Sequence, residues 1–492
     1  MSAKAVKGDR SSSTSSRAGG SLGRFAVELR DVSCQCQDGS ILLDSINLSI
    51  KPGECVLLCG RSGMGKTTVT KCINGLIPQF EPGIERAGEV LVQGMDPGSC
   101  EMYELASQVG SVFQNPKSQF FNLTSNDELA FGLETAGTRV EVIEQRMRKT
   151  VASLKAERLL DRDVGKMSGG EKQSLVFASV NVVDPDVYVL DEPTANLDAE
   201  AVRVLHDQMA AVLARGKTVV VAEHRLHFMA DLVDRAVLID QGRIVREFSA
   251  AELLALSSDE RELFGLRAIH PSEVTGVGFQ MPSGLALEVP ESGLSLRDFC
   301  SQRKGVRSFP PVNLDVPRGS VVGVIGANGS GKTTFLRAVS GLERRTEGLV
   351  VLDASTLGAR ARRRTCSLVM QDPNHQLFAD SVRGECELAA AGEAERIEEI
   401  LCSLDLSAMG DRHPMALSGG QKQRLAIACA LLAGRKVLLL DEPTSGLDFG
   451  HMLEVSKVVK AAAAQGACVI VVTHDGEFLR RSCDCVYELK ER

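Results

Sequence analysis

The sequence predicts an α/β protein made of two copies of one unit, and three observations predict it. The first is a glycine-rich stretch, Gly60-Arg61-Ser62-Gly63-Met64-Gly65-Lys66-Thr67-Thr68, behind the apolar run Val56-Leu57-Leu58-Cys59 and ahead of the helix-compatible segment Val69 to Leu76. The second is its return as Gly326-Ala327-Asn328-Gly329-Ser330-Gly331-Lys332-Thr333-Thr334, again behind an apolar strand, Val321-Val322-Gly323-Val324-Ile325. The third is an ordered block, in which Ser168, Glu192 and His224 recur 250 positions later as Ser418, Glu442 and His474. A strand, a glycine loop and a helix start make a cradle for phosphate. Glycines let backbone N–H groups point inward at close range, and the helix N-terminus adds its positive dipole end. At the full G-x-x-x-x-G-K-T spacing, Lys66 and Lys332 reach β- and γ-phosphates, and the hydroxyls of Thr67 and Thr333 ligate Mg²⁺.

Length agrees with doubling. A chain of 492 residues exceeds one ordinary domain, and about 150 residues per domain allows two to four. The apolar share of 43% can fill two cores, while a net charge of −8 and a pI near 5.7 argue against a nucleic-acid partner, whose binding rests on basic surface. The 14 cysteines are scattered, and the closest pairs, Cys34-x-Cys36 and Cys483-x-Cys485, lack the spacing of zinc knuckles or redox pairs. They read as reduced thiols of a cytosolic protein. No run approaches the roughly 18 apolar residues of a membrane span, and no signal-peptide core opens the chain.

In chain order, residues 1–23, with Ser11-Ser12-Ser13-Thr14-Ser15-Ser16 and Gly19-Gly20, are too polar and small to bury surface, so a disordered tail is expected. Apolar and polar residues then alternate through Ala26-Val27-Glu28-Leu29 and Ile46-Asn47-Leu48-Ser49-Ile50, predicting a short antiparallel sheet. Strand-like Gly88 to Val92 and Val109 to Phe113 follow, the latter ending at Gln114, and then helix-prone sequence from Val140 to Leu160. Met167-Ser168-Gly169-Gly170-Glu171-Lys172-Gln173 opens a helix with a serine and two glycines, implying another anion site. Buried strands Val187 to Leu190 and Thr218 to Ala222 end in Asp191-Glu192 and Glu223-His224. Open α/β sheets place their ligands at such carboxyl ends. Asp191 is expected in the magnesium shell, Glu192 to polarise the attacking water, and His224 to sense the γ-phosphate. The second half repeats the order with Leu417-Ser418-Gly419-Gly420-Gln421, Asp441-Glu442 and Thr473-His474.

On these motifs the chain resembles a tandem ATP-binding-cassette (ABC) ATPase over nearly everything after residue 24. The resemblance implies two P-loop NTPase domains, 24–266 and 293–492, joined by a linker over 267–292. Each is expected to have a mixed or parallel sheet core, an antiparallel β subdomain and a helical subdomain. It also implies a head-to-tail sandwich with ATP and Mg²⁺ as ligands. One composite site would join Lys66, Thr67, Gln114, Asp191, Glu192 and His224 to Ser418, Gly419 and Gly420; the other would join Lys332, Thr333, Gln371, Asp441, Glu442 and His474 to Ser168, Gly169 and Gly170. Thr67, Gln114 and Asp191, and likewise Thr333, Gln371 and Asp441, would hold the metal. Asp198 and Asp448 match loops that communicate across the interface. As a flexible coil the linker reaches about 30 Å, enough for its own two halves to pair.

A finer likeness follows the glutamines. Gln114-Asn115-Pro116-Lys117-Ser118-Gln119-Phe120-Phe121 and Gln371-Asp372-Pro373-Asn374-His375-Gln376-Leu377-Phe378 are similar to the Q-N/D-P-x-x-Q-x-F pattern of energy-coupling-factor importers. That family takes up vitamins and transition-metal ions. It would give the chain two membrane partners, a transmembrane coupling (T) component and a small substrate-capture (S) protein, and a place on the cytoplasmic face of the membrane. Two departures carry expectations of their own. Cys36 and Arg303 stand nearest to the aromatics that usually stack on adenine. Glu171, where the second copy has Gln421, adds a negative charge to the site on Lys332, a difference that could make the two sites unequal, yet both are expected to be active because Glu192 and Glu442 are both present. A ribosome-associated tandem cassette and another class of ABC transporter are the competing readings. The first would call for a longer charged connector and basic surface.

Overall fold

The structure is a computed structural model that describes residues 25–195, 197–274, 292–303, 306–390 and 394–490. The predicted tail lies outside the described residues. The apolar runs form two parallel sheets. In the first half the strand order is Val109–Val112, Val187–Asp191, Thr218–Ala222, Cys55–Cys59, Arg235–Asp240 and Arg243–Ser249, and only the last strand runs antiparallel. In the second half it is Cys366–Val369, Val437–Asp441, Cys468–Val472, Val321–Ile325 and Cys485–Glu488, all parallel. Central strands such as Cys55–Cys59 are buried along their whole length, as sheets covered on both faces require. The register brings Asp191 opposite Ala222, so the chain leaves both strands at one edge, beside the loop that follows Cys59.

An antiparallel sheet packs beside each core. Val27–Cys36 pairs with Ile41–Ile50, Val27 facing Ile50, and on its other side with Ile84–Val92. The strand expected from Gly88 therefore starts earlier and completes the first antiparallel sheet. Gly293–Arg303 pairs likewise with Val312–Pro317 and Thr346–Leu352. The helical parts are Ser125–Thr135, Val140–Ser153 and Gly169–Val183 in one half and Val382–Ala390, Ala394–Ser403 and Gly419–Leu432 in the other. The predicted helix from Val140 ends at Ser153, short of Leu160. Both glycine-pair helices begin with a capping box, Ser168 with Glu171 and Ser418 with Gln421, which satisfies two backbone donors that a helix start leaves open.

The connection expected as a tether over 267–292 is packed where it begins. Leu266 and Ile269 belong to the apolar core of the first half, whereas the buried Arg267 between them bonds to Asp475 and Glu477 of the second. Apolar burial on one side and charge pairing on the other remove the freedom that a solvated coil would keep. The chain then runs so close to the second half that a Cβ on Gly476 would lie 2.0 Å from the Val274 carbonyl oxygen. Gly476→Ala is expected to lower the thermal midpoint by several degrees, since overpacking costs about 1–3 kcal/mol. Differential scanning calorimetry of the full chain measures it, and an unchanged midpoint would show that the Val274 backbone yields freely.

Candidate active site

Both phosphate loops depend on glycine where neighbouring backbone closes in. Gly65 has φ of 107°, and a Cβ there would sit 2.9 Å from the Leu42 carbonyl; at Gly331, φ of 97°, it would sit 2.4 Å from the Ser308 carbonyl. Left-handed backbone without room for a methyl is a glycine position. Lys66 and Lys332 are buried and cap their own loops. Lys66 Nζ donates to the Gly60 and Arg61 carbonyls at 2.9 and 2.7 Å, and Lys332 Nζ to those of Gly326 and Ala327 at 2.7 and 3.0 Å. An ammonium has three protons, so each lysine keeps one for a ligand in the cradle.

The acidic residues stand at the strand ends facing these loops. Glu192 and Glu442 both take left-handed backbone, φ 44° and 49°, a strained state for non-glycine residues that recurs at functional sites. Glu192 Oε2 accepts from Gln114 Nε2 at 2.7 Å, and its Oε1 lies 3.3 Å from His224 Nε2. The same ring nitrogen is 3.4 Å from Ser62 Oγ, and Thr67 Oγ1 donates to Asp191 Oδ1 at 3.0 Å. In the second half Glu442 Oε2 accepts from Thr473 Oγ1 at 3.0 Å and from the His474 N–H at 3.3 Å, with His474 Nε2 3.7 Å from Oε1. Thr333, Gln371, Asp441, Glu442 and His474 line one cavity of about 360 Å³.

Charge makes these clusters incomplete by themselves. Burial, and then Glu192, push the Asp191 carboxyl up to about 6, against Thr67 and Lys66. Burial raises Glu442 to about 7, opposed first by Arg225 of the other half. His474 falls to about 4 through burial and then Lys332, so its ring is neutral at pH 7. Buried carboxylates resisting ionisation beside hydroxyl and amide oxygens are a donor set suited to a hard, oxygen-seeking dication. The sets Thr67, Gln114, Asp191 and Thr333, Gln371, Asp441 therefore fit Mg²⁺.

The halves meet head to tail across these loops. Asp448 Oδ2 of the second half accepts from the Ser62 N–H of the first at 2.6 Å, and Asp198 Oδ2 accepts from the Asn328 N–H at 3.1 Å. On the Lys66 side one cavity of about 460 Å³ brings Ser62, Gly63, Gly65, Lys66, Thr67, Thr68, Gln114 and Glu192 together with Ser418, Gly419 and Gly420. The Lys332 cavity is lined by second-half residues alone, and Ser168, Gly169 and Gly170 are not among them. There the halves touch through Asp198 instead.

Other expectations change as well. Glu171 does not line the Lys332 cavity. Its carboxylate accepts from the Ser168 N–H at 2.8 Å and pairs with Arg162 at 3.3 Å, so it does the capping work of Gln421 and its charge is already balanced. Cys36 lines neither cavity; Leu42 and Val306 do, and the Arg303 side chain lies outside the described residues. Arg424, Asp405 and His451 also line the Lys66 cavity. Arg424 lies 250 positions after Ser174, so the two copies differ there by a charge.

Comparison with known proteins agrees with this geometry. The family model described as ABC transporter matches residues 43–195 and 309–445. The chain is 37% identical over 90% of its length, and 91% of the relative's, to a candidate ABC transporter ATP-binding protein of Treponema denticola. It is 29% identical, over 92% of its length and 88% of the relative's, to a Bacillus subtilis protein named as a candidate HMP/thiamine import ATP-binding protein. Among solved structures, an archaeal ribosome recycling factor bound to a ribosomal stalk protein shares the fold at a TM-score of 0.61 and 22% identity, covering 93% of this chain and 87% of that one.

Replacement of Glu192 or Glu442 by Gln keeps shape and removes the carboxylate. Each single change is expected to lower ATP turnover and the double change to abolish it, because loss of a general base costs about 10²–10⁴-fold at its own site. Steady-state phosphate release measures this. Wild-type turnover in Glu442→Gln with none in Glu192→Gln would mean that one site alone works.

Proposed function

The chain belongs to the ABC transporter family and hydrolyses ATP with Mg²⁺; from that premise we propose that it is the ATPase subunit of an energy-coupling-factor importer, driving membrane uptake of a vitamin or transition-metal ion. Each ATP occupies one phosphate loop. Lys66 or Lys332 holds the phosphate tail, while Thr67, Gln114 and Asp191, or Thr333, Gln371 and Asp441, hold the metal. Bound Mg²⁺ neutralises charge on the phosphate oxygens. Glu192 and Glu442 orient the attacking water and accept its proton, and His224 and His474 steady the γ-phosphate from beside them. Ser418-Gly419-Gly420 closes the first site from the opposite half, and Ser168-Gly169-Gly170, which stand outside the Lys332 cavity here, would have to approach it to do the same at the second.

One observation carries the importer reading: two matching loops, each built to hold an aromatic ring in solvent. Gln119 Oε1 accepts from the Phe113 N–H at 2.8 Å, and its Nε2 donates to the Ser111 carbonyl at 3.0 Å; Gln376 makes the same pair of bonds with Met370 and Leu368, both at 2.7 Å. Glu128 Oε2 then accepts from the Phe121 and Asn122 N–H groups, as Glu385 Oε2 does from Phe378 and Ala379. Phe121 and Phe378 remain 74% and 80% exposed. Exposed aromatics on a fixed backbone suit a protein partner. Among the described residues no helix is long and apolar enough to cross a membrane, so the partners supply the spans: a T component that docks at these loops and an S protein that captures the cargo, with this chain peripheral on the cytoplasmic face. The thiamine-import name of the Bacillus relative supports the same substrate class.

Phe121→Asp or Phe378→Asp is expected to lower uptake at least about tenfold in cells co-expressing the membrane partners, while basal hydrolysis by the purified chain changes less than about twofold. Equal loss of both activities would refute the docking role. Ribosomal RNA in place of a membrane protein in the purified complex would refute the importer reading altogether.

A further inference from the structure

Each half anchors its interface loop with an arginine, but the two arginines come from different places. In the first half Arg225 Nη1 donates to the Leu197 carbonyl, one residue before Asp198, at 3.4 Å. The residue 250 positions later is Asp475, which has no proton to offer as a carboxylate. In the second half the equivalent carbonyl, Leu447, accepts at 3.1 Å from Arg267, a residue of the connection between halves. The same guanidinium donates through Nη2 to Asp475 Oδ1 at 2.5 Å and through Nε to Glu477 Oε2 at 2.9 Å. Glu477 further accepts from the Ala268 N–H at 3.0 Å and from Arg261 Nη1 at 3.3 Å, and Asp475 Oδ2 accepts from Thr444 Oγ1 at 2.7 Å. Arg267, Asp475 and Glu477 are no more than 5% exposed.

The position of Arg267 makes it more than a stitch. Leu266 and Ile269 root it in the core of the first half, so the fork belongs to one half and grips the other at three points. Leu447 precedes Asp448, whose carboxylate caps the Ser62 N–H at the first site. Asp475 follows His474, which lines the second site. Arg267 thus stands one side chain away from a loop that touches each site. Burial pushes the Asp475 carboxyl up, and Arg267 followed by Arg225 brings it down to about 2, so the grip stays ionised under working conditions. A planar guanidinium can serve three acceptors held in fixed directions; a lysine ammonium on a flexible stem cannot reproduce that fork.

We propose that Arg267 is a positioning residue for ATP hydrolysis at both sites, fixing the Leu447–Asp448 backbone against the first phosphate loop and Asp475 beside His474 at the second. The connection is therefore a working part of the catalytic interface. A linker that served only to keep the halves together would need no buried charge, and its length alone would suffice.

The test uses the full chain with Arg267→Lys, placed alone, in Glu192→Gln, where only the Lys332 site turns over, and in Glu442→Gln, where only the Lys66 site does. The expected result is a thermal midpoint within about 5 °C of wild type, with kcat lowered about tenfold in both single-site backgrounds and KM for ATP within about twofold. Asp475→Asn, which keeps the side-chain shape, serves if Arg267→Lys fails to fold, and the same losses are expected. A folded variant with unchanged kcat in either background would overturn the proposal. So would loss of folding in both variants, which would assign the network to fold stability alone.

Discussion

The structure turns on two reciprocal hydrogen bonds, Asp448 to the Ser62 N–H and Asp198 to the Asn328 N–H. A phosphate loop gathers N–H groups that point inward, and any of them not used by a ligand must find another acceptor or remain open to water. Here an acceptor comes from the opposite half at both loops. The carboxylate must hold still to serve, and each does so as the N-cap of a helix, Asp198 for Ala199–Leu213 and Asp448 for Phe449–Ala464. The interface loop, the helix behind it and the facing phosphate loop are therefore one mechanical unit. Distance across the interface is set by hydrogen-bond length, and the strands that end at Asp191 and Asp441 set the direction.

On that common frame the two sites are not copies. The Lys66 cavity is completed by Ser418, Gly419 and Gly420 and carries Arg424, a nearly buried arginine with Glu454 beside it at 3.6 Å. The matching position in the first half is Ser174, whose hydroxyl accepts from Gln208 inside the helical packing at 2.7 Å. Charge at the Lys332 site comes instead from Arg225, which opposes the effect of burial on Glu442 and with it depresses His474. The structural asymmetry between the two sites therefore does not come from Glu171. The acid is spent on its helix cap, and the difference rests on which half lends an arginine to which site.

Much of this was legible in the sequence because the relevant forces are local. A glycine loop between strand and helix is dictated by backbone sterics, and the buried parallel strands announce themselves as continuous apolar runs such as Val187 to Leu190. The recurrence of Ser168, Glu192 and His224 fixed the doubled fold. Local pattern has no access to contacts made across the interface. Asp405 and His451 belong to the second half, and nothing in their local sequence says that they line a cavity built on the first. Arg267 looks like the first residue of a polar linker, yet Leu266 and Ile269 draw it inward and Asp475 and Glu477 neutralise it. The strand from Ile84 extends beyond its apolar signal because Ile84, Glu85 and Arg86 mix polar and apolar residues at a sheet edge, where one neighbour and half-burial suffice.

The paired glutamine loops show how such a machine can hand force to a partner. A flexible loop would absorb displacement, since ordering each residue costs about 1–2 kcal/mol of backbone entropy at the moment of contact. In the first half the side chains of Asn115, Gln119 and Glu128 make five hydrogen bonds to the backbone within the short stretch from Ser111 to Asn122, and in the second those of Asp372, Gln376 and Glu385 make the matching five. These bonds, at about 0.5–1.5 kcal/mol net each, meet part of that ordering cost before any partner arrives. The loop is also fastened at both ends: Gln114 holds Glu192 at one site, and Glu128 sits in the helix Ser125–Thr135 of the helical subdomain. In the proposed importer a change at the carboxylate would reach Phe121 along this short, already ordered path, and the exposed ring is where a docked partner would take it up.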